Sequence, residues 1–261
     1  MISFFSTIIG INKNIVLNLL ISGQSNGVGT SEDGLLASQY LRDPIQNALI
    51  YDGVNWSTLE YNVNNKGNDA GTNRYGSELS FAFNWVDKVG KVNIEKYAVG
   101  ATGIAQDGTK DDFNVNSNEL FPNLKSAYQN LVNYSNNTKQ DNETHIFVYY
   151  PFFGERDAVL NNGNEFDTNF IDMVNELETI KSFHHIFINQ LSSNAITTGY
   201  APAINVNRVR NAADRLKIHF GNKGILTDMT QYGFHDAIHF SAINYEKIGN
   251  DLSDKLIQTI F

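Results

Sequence analysis

The sequence predicts a single α/β domain over residues 1–261, a three-layer α/β/α sandwich around a central five-stranded parallel sheet. Short apolar runs alternate with amphipathic helical segments along the chain, and this alternation is typical of βαβ units. The first run, residues 14–22, is almost continuously apolar, as expected of a strand that is buried on both faces. No repeat or linker divides the 261 residues, and this length fits one domain.

The alternating pattern predicts five strands and five helices. The strands are predicted at residues 14–22, 92–99, 144–150, 185–189 and 224–228. The helices are predicted at residues 77–89, 118–134, 165–183, 205–218 and 242–260. Pro151 is expected to end the third strand, because proline cannot donate a ladder hydrogen bond. We interpret residues 1–13 as an N-terminal arm and residues 61–75 as a surface loop.

The composition excludes several classes of function. The chain contains no cysteine, which excludes disulfides, Cys-ligated zinc and thiol catalysis. With 28 acidic and 19 basic residues, the formal net charge is −9. Such a balance argues against nucleic acid as a partner, because phosphate contacts need clustered Lys and Arg. No apolar run approaches the ~20 residues of a membrane-spanning helix, so no membrane partner is expected.

A serine follows the first predicted strand, at the edge where parallel sheets carry their chemistry. Ser25 stands between a buried strand and a helix start, so its own N–H and the helix N-terminus can stabilise a developing oxyanion. This position suits a nucleophile, and it also fits an ordinary N-cap in a strand–turn–helix. A phosphate-binding loop is disfavoured, because no lysine follows and Gly-x-Gly-x-x-Gly is absent.

A serine nucleophile needs a base and a group that orients the base. Asp236 and His239 stand three residues apart in the loop after the fifth strand, so both side chains can turn toward Ser25. Alone, the pair also fits a turn residue and a loop histidine. His235 ranks second as the base, because adjacent side chains rarely pair in extended backbone. The other histidines lie in or beside core elements and are interpreted as structural: His145, His184, His185 and His219.

Two further strand ends carry candidate groups. Gly100 follows the second strand with an unobstructed backbone N–H, which suits a second oxyanion donor, although a plain turn explains it equally well. After the third strand, Glu155 and Asp157 flank Arg156, and this pattern favours an ion-paired wall of the pocket. Two acids without a nearby histidine are a weak metal signal, so no metal site is expected.

Taken in order, these strand ends resemble the blocks of the SGNH hydrolase superfamily and, within it, of the sialate O-acetylesterase and carbohydrate esterase family six group. The first block, Gly-Gln-Ser-Asn, is matched in full by residues 23–26, and the last, Asp-x-x-His, by residues 236–239. Residues 100–102 resemble the Gly-Gly-Thr block, with Ala101 in place of the second glycine, and residues 76–82 resemble the Gly-Pro-Glu helix start. The resemblance spans about residues 15–258 and implies a flavodoxin-like fold.

One block departs from the pattern of that group. The third block usually reads Trp-x-Gln-Gly-Glu-x-Asp, and its glutamine side chain is the third oxyanion donor. Here Phe153 stands in the place of the glutamine, and a phenyl ring cannot donate a hydrogen bond. One lost donor typically lowers the rate by ~10²–10³-fold. Either the enzyme is slow, or Arg156 or a nearby asparagine replaces the donor, or the domain binds acetylated sugar without efficient turnover.

The resemblance implies a serine esterase that removes O-acetyl groups from sialic acid or another acetylated glycan, without metal or cofactor. It implies Ser25 as nucleophile, His239 as general base, Asp236 as its orienting group, and the Ser25 and Gly100 amides as the oxyanion hole. The implied substrate pocket comprises Gln24, Asn26, Phe153, Glu155 and Arg156. Such a substrate favours an extracellular or virion-associated location. The alternative is a weakly active or non-catalytic glycan-binding module of a phage tail or cell-surface assembly.

Overall fold

The computed structural model describes residues 14–31, 38–65 and 75–261 of the chain. The predicted N-terminal arm at residues 1–13 lies outside the described residues, as does most of the predicted loop at residues 61–75. Across the described ranges, no helix combines the length and the apolar character that a membrane crossing requires.

A mostly parallel sheet, seven-stranded in the described residues, forms the centre of the fold. The strands are β1 Ile15–Gly23, β2 Ala48–Tyr51, β3 Trp56–Thr58, β4 Lys91–Ala98, β5 Thr144–Phe152, β6 His185–Gln190 and β7 Gly224–Asp228. They lie in the order β3-β2-β4-β1-β5-β6-β7, and β3 is antiparallel to β2. The five predicted strands are β1, β4, β5, β6 and β7, and their relative order, second-first-third-fourth-fifth, is that of flavodoxin-like folds. The predicted fold class is confirmed.

The predicted number of five strands is wrong, because β2 and β3 extend the sheet beyond β4. β2 pairs parallel with β4, and β3 pairs antiparallel with β2. They contain four and three residues. Runs this short show no usable periodicity, so no local pattern separates them from loop. Pairing with the edge of β4 makes them strands.

Helices cover both faces of the sheet. In the described ranges they are α1 Ser25–Val28, α2 Glu78–Lys88, α3 Phe121–Thr138, α4 Glu155–Val159, α5 Phe166–Glu178, α6 Asn194–Thr197, α7 Ala203–Phe220 and α8 Ala242–Ile260. α2 and α8 pack into an apolar cluster on one face, and α3, α5 and α7 pack into a second cluster on the other. These five long helices are the predicted ones, and they complete the three layers. The helices α1, α4 and α6 have only four or five residues, too few for a periodic pattern.

β5 continues through Pro151 to Phe152, where the proline predicts a strand end. On one side it pairs with β1 to this point. On the other side its ladder to β6 involves Val148 and Tyr149, and further on Asn189 Nδ2 donates to the Pro151 carbonyl over 2.7 Å. A side chain thus replaces the ladder beside the proline, so the missing N–H costs no strand hydrogen bond.

A buried ion pair fixes α1 to the sheet. The Lys96 ammonium of β4 lies 3.2 Å from a carboxylate oxygen of Glu78 in α2, and both side chains are almost fully buried. The ammonium also donates to the carbonyl of Val28, the last residue of α1, over 2.6 Å. These contacts hold α1 at the carboxyl edge of the sheet, where the strand order reverses and where such folds bind their ligands.

Candidate active site

Ser25 is the first residue of α1, directly beyond the carboxyl end of the central strand β1. The chain turns at Gly23, whose φ is +142°, and a Cβ there would lie only 2.3 Å from the Phe152 carbonyl oxygen. The Gln24 N–H donates to the same carbonyl over 2.9 Å, which binds the turn to β5. Gln24 and Asn26 are buried, whereas Ser25 is partly exposed. The turn therefore presents a single hydroxyl at this edge.

The loop between β7 and α8 supplies the other half of the site. Phe234 and Phe240 form an antiparallel bridge at its base. His239 Nδ1 lies 2.6 Å from Asp236 Oδ2, and His239 Nε2 lies 2.9 Å from Ser25 Oγ. The fold thus joins three side chains from opposite ends of the chain into one hydrogen-bonded series, with the geometry of a Ser-His-Asp triad.

Asp236 is held as a carboxylate. Burial alone would raise its pKa, but the N–H groups of His239 and Ile238 each donate to its Oδ1 over 2.8 Å, and the His239 ring approaches its Oδ2. Together these bonds lower the pKa of Asp236 to about 2. A charged acceptor keeps the imidazole proton on Nδ1 of His239, which leaves Nε2 free to accept the serine proton.

His235 is engaged elsewhere. Its Nε2 lies 3.0 Å from the carbonyl oxygen of Thr30, a distance at which it donates its proton to that oxygen, and 3.9 Å from Asp236 Oδ2. His235, Asp236 and His239 each offer a ligand atom within 4.8 Å of the others, a spacing that a metal ion could bridge. The hydrogen bonds described above already use these side chains. The expectation of a metal-free site stays a prediction.

Asn26 fixes the two halves of the site to each other. Its Nδ2 donates to the Ile238 carbonyl over 3.2 Å, and its Oδ1 accepts from the Phe240 N–H over 3.4 Å. These peptide groups flank His239, so the residue after Ser25 holds the backbone on both sides of this histidine. The Tyr245 hydroxyl also donates to Oδ1, over 2.8 Å. Predicted to line the pocket, Asn26 lies beneath the triad and is 1% exposed.

Glu155, at the start of α4, orients Asn26 from below. Its Oε1 accepts from Asn26 Nδ2 over 2.6 Å, whereas its Oε2 is buried without a partner in the described part of the chain. Burial raises the pKa of Glu155, and the bond from Asn26 opposes this effect. Beside it lies a cavity of about 10 Å³ that Asn189 and Ser192 also line. Such a space holds one water molecule at most.

Gly100 lies beside the serine turn. Gly23 of β1 pairs with Ala98 of β4, so Ser25 and Gly100 each stand two residues beyond the same rung of the sheet. The Val99 N–H donates to the Gly23 carbonyl over 2.9 Å, which continues this alignment. The two predicted oxyanion donors therefore share one edge. Their catalytic role stays a prediction.

Asp157 positions the loop that begins with Gly100. Its carboxylate accepts from the N–H groups of Ile104 and Ala105 over 3.1 and 3.0 Å. Burial raises the pKa of Asp157 to about 7 despite these bonds. In the same loop Ala101 has a φ of +61°, in the left-handed region, at the position where the resembled block has glycine. The family's preference at this position thus has a conformational reason.

Arg156 pairs with a different acid from the ones expected. Its Nε and Nη2 lie 2.8 and 2.6 Å from Asp107 Oδ2. The predicted ion-paired wall of Glu155, Arg156 and Asp157 is therefore wrong in its partners. Successive residues of a helix point about 100° apart. The three side chains at the start of α4 consequently have different partners: that of Glu155 lies in α1, and those of Arg156 and Asp157 lie in the connection between β4 and α3.

The oxygen and the nitrogen of the Gln24 side-chain amide differ in their hydrogen bonds. Its Oε1 accepts from the Arg156 backbone N–H over 3.1 Å, which fixes the side chain. No described residue accepts a hydrogen bond from its Nε2. This nitrogen is not fully enclosed by protein atoms, so a ligand or water can still accept its proton. Gln24 directly precedes Ser25 in the chain, so its side-chain amide is a candidate donor to the site.

Phe153 packs into the core. Its ring meets the ring of Phe113 edge to face, 5.1 Å between centroids, and the residue is 4% exposed. Phe113 in turn meets Tyr97 at 5.9 Å. The residue that replaces the expected glutamine thus belongs to the apolar cluster under α3.

Several residues that shape the site escaped the sequence analysis. Asp107 and Tyr245 lie far along the chain from the motifs that they support. Lys96 gave one signal, a lysine inside a predicted strand, which calls for a partner when the strand is buried. Burial and then the charge of Glu155 raise the pKa of Tyr200, which therefore lies within electrostatic range of the site. Two of the histidines interpreted as structural hold core contacts: His145 with Ser135 and His184 with the Phe147 N–H.

Solved structures share this fold at low sequence identity. A protein from Arabidopsis thaliana matches with a TM-score of 0.68 and 15% identity, over 95% of this chain and 99% of its own. NanS matches with a TM-score of 0.64 and 12% identity, over 96% and 97%. A carbohydrate acetylesterase from Xanthomonas citri matches with a TM-score of 0.59 and 12% identity, over 94% of this chain and 56% of its own. No curated protein has a significantly similar sequence.

The family comparison covers almost the whole chain. The profile of the family described as carbohydrate esterase, sialic acid-specific acetylesterase, matches residues 16–258. This range contains Ser25, Asp236 and His239 together with the strands that position them. The chain therefore belongs to the sialic acid-specific acetylesterase family of carbohydrate esterases.

Proposed function

We propose that the protein is a serine esterase that removes O-acetyl groups from a carbohydrate through an acetyl-enzyme intermediate. The observation that carries this proposal is the hydrogen-bonded series Ser25–His239–Asp236, in a chain of a carbohydrate esterase family. Nucleophile and base lie within hydrogen-bond reach, and the base is oriented by a charged third group. This is the arrangement that activates a serine hydroxyl.

In the first half-reaction, Ser25 Oγ attacks the acetyl carbonyl carbon while His239 Nε2 takes the hydroxyl proton. Asp236 stabilises the imidazolium that forms. The N–H groups of Ser25 and Gly100 donate to the oxyanion of the tetrahedral intermediate. The intermediate collapses with cleavage of the bond between the carbonyl carbon and the sugar oxygen. His239 returns its proton to that oxygen, which leaves as a free sugar hydroxyl.

In the second half-reaction, water replaces the sugar. His239 Nε2 takes a proton from the water as its oxygen attacks the acetyl carbon on Ser25. The same N–H groups hold the second oxyanion. Collapse returns the proton to Ser25 Oγ and releases acetate. Atoms balance as ester plus water to alcohol plus acetic acid, and no group outside the chain is required.

Gln24 is our candidate for the third oxyanion donor. The Phe153 ring cannot donate a hydrogen bond, and the Arg156 guanidinium already donates to Asp107. The Gln24 side chain is fixed by its Oε1, and its Nε2 has no acceptor among the described residues. A fixed donor beside the nucleophile costs no reorganisation when the negative charge develops.

Acetyl release from defined substrates tests the proposal. The wild-type chain should hydrolyse a chromogenic acetate ester, and it should release acetate from O-acetylated sialic acid or from an acetylated neutral glycan. Which of the two carbohydrates reacts assigns the substrate class. An inactive wild-type chain that still binds either carbohydrate would overturn the esterase and restore the non-catalytic binding module. The complete triad favours the enzyme over that alternative.

A further inference from the structure

A second polar cleft lies on the α3 side of the sheet, away from the triad. It has a volume of about 500 Å³, within the range of ligand-binding clefts. We call it the Glu95 cleft. Its walls come from the end of β2, the segment near Asn64, β4 and the first half of α3. The residues used below are Tyr51, Asn64, Glu95, Tyr97, Asn123 and Asn130.

Glu95 is the feature that the fold leaves unexplained. It lies in β4, is 5% exposed, and its Oε2 has no hydrogen-bond partner in the described part of the chain. A buried polar atom without a partner destabilises a fold by roughly 1–3 kcal/mol, so such atoms call for an explanation. The other carboxyl oxygen, Oε1, is not enclosed in this way and has no hydrogen bond to a described residue, so a ligand hydroxyl in the cleft would reach the carboxyl group through Oε1.

The charge of the cleft restricts its ligand. Lys96 follows Glu95 directly in β4, so the two side chains point to opposite faces of the sheet. The Lys96 ammonium binds Val28, Asn65 and Glu78 on the face away from the cleft. No other lysine or arginine is found among the described residues that line the cleft. An anionic ligand would therefore meet a buried acid with no compensating cation. The cleft disfavours sugar acids and phosphates.

The remaining lining suits a neutral sugar. Amides offer both donors and acceptors to hydroxyl groups, and Asn123 and Asn130 line the α3 side of the cleft, whereas the Asn64 amide on the other side already binds neighbouring residues of its own segment. The Asn123 amide already donates to the Tyr97 hydroxyl over 3.0 Å, which fixes this ring at the cleft wall. Tyr51 adds a second aromatic ring. Fixed rings and amides together provide apolar area and hydrogen bonds of the kind that sugar faces and sugar hydroxyls use.

We propose that the Glu95 cleft is a second binding site that takes an uncharged, hydroxyl-rich carbohydrate segment. Tyr97 stands three residues before Gly100, which corresponds to roughly 10 Å along a strand. A glycan held in the cleft therefore lies near enough to continue toward the triad. Only the choice of carbohydrate rests on the proposed esterase function, because binding in the cleft involves no triad residue.

Trp56 provides the test with a built-in reporter. Its ring lies 5.7 Å from that of Tyr51 in the cleft wall, whereas Trp85, the other tryptophan, is fully buried in the opposite core cluster. We expect Ser25→Ala protein, titrated with xylotriose, maltotriose and chitotriose, to change its fluorescence with at least one of them. The Trp56→Phe variant should lose the signal but keep the heat of binding.

Two exposed residues of α3 make a matched pair of variants. Ser126 lines the cleft and Gln129 does not. Ser126→Phe fills the cleft and should weaken binding ~10-fold or more, whereas Gln129→Phe should leave it unchanged. Glu95→Gln keeps the shape of the side chain and should weaken binding by a smaller factor. All three variants should hydrolyse a small acetate ester as the wild type does.

Three results would overturn the second site. These are no binding of any trisaccharide, binding that Ser126→Phe does not weaken, or Glu95-dependent binding of Ca²⁺ or spermidine in place of sugar. Hydrolysis of the small ester reports the proposed function separately. A chain that binds sugar in the cleft without hydrolysing esters would refute the esterase alone, and an active chain without cleft binding would refute the cleft alone.

Discussion

Two glutamates of this protein are buried to the same degree in opposite surroundings. Glu155 and Glu95 are each 5% exposed, and each has an Oε2 atom without a partner in the described residues. Glu155 binds Asn26 through its other oxygen and borders a cavity of about 10 Å³. Glu95 borders a cleft of about 500 Å³. Burial raises the pKa of both groups, that of Glu95 to about 8.

The space beside the acid separates the two roles. A cavity the size of one water cannot admit substrate, so the direct contact that links Glu155 to the triad is its hydrogen bond to Asn26. A cleft of ligand size can admit a sugar, so Glu95 can act on binding. Equal burial and a shifted pKa therefore identify two groups of interest, but only the contacts and the free volume distinguish a positioning group from a binding group.

The largest expected loss of activity comes from changes in the triad, and it should leave the Glu95 cleft unaffected. Ser25→Ala and His239→Ala should each lower kcat on an acetate ester by ~10³-fold or more, and the double variant should lose little beyond either, because nucleophile and base act as a unit. Sugar binding in the Glu95 cleft should survive both changes. His235→Ala, whose ring binds Thr30, should retain most activity. A stronger loss in His235→Ala than in His239→Ala would reverse our assignment of the base.

The next largest effect tests Gln24 as the third oxyanion donor. Gln24→Glu keeps the acceptor for the Arg156 N–H and removes the amide donor, so we expect kcat to fall ~10²–10³-fold with little change in KM. Phe153→Gln is the comparison. Its ring packs against Phe113, so this change should lower the melting temperature without raising kcat. A folded Phe153→Gln protein with a higher kcat would show that the hole lacks a donor and that Gln24 does not supply it.

Asn26 tests whether Glu155 acts through geometry. Asn26→Leu removes the bonds to the peptide groups on both sides of His239, and we expect kcat to fall ~10–10²-fold through misplacement of the base. Tyr245→Phe removes one bond to Asn26 and spares those peptide contacts, so it should lose much less. KM should stay constant in both. A raised KM with normal kcat would assign Asn26 to substrate binding instead.

The pH dependence of stability tests Glu95. Its pKa is raised from 4.5 to about 8, so the folded state keeps a proton that the unfolded chain releases above pH 4.5. Stability therefore falls as pH rises from 4.5 to about 8 and levels off above that. Glu95→Gln should remove this fall. Because the cleft is open to water, we expect a gain on the order of 1–2 kcal/mol at pH 9 and almost none at pH 4. Urea unfolding of both proteins at the two pH values measures it, and equal gains at both would contradict burial as the cause.

The smallest effect concerns the loop that connects the two regions. Ala101 follows β4, which carries Glu95, and belongs to the loop that Asp157 holds. Its φ of +61° disfavours any residue with a Cβ, so Ala101→Gly should stabilise the fold by about 1 kcal/mol at unchanged kcat. Thermal unfolding and ester hydrolysis measure the two quantities. A destabilised variant would mean that the entropy lost by glycine exceeds the strain relieved.

The local sequence pattern was sufficient to predict the central strands and the long helices of this protein. Alternating apolar runs predicted five parallel strands and five long helices, because a strand buried on both faces and an amphipathic helix leave period signatures in the sequence. The motifs around Ser25 and His239 predicted their meeting, because the carboxyl ends of parallel strands share one edge. Strand β2 and strand β3 could not be foreseen, because pairing with β4 alone makes them strands.

The tertiary structure decided what each buried polar group does. In the sequence, Glu155, Arg156 and Asp157 form one charged run, yet they bind Asn26, Asp107 and the backbone of the Gly100 loop. Glu95 has no distinguishing sequence motif at all. A hydrogen bond depends on distances of a few tenths of an ångström between segments that lie far apart in the chain. Sequence motifs therefore identified the three residues that the fold brings together, and packing alone determined which acid contacts Asn26 beside them and which acid lines an open cleft.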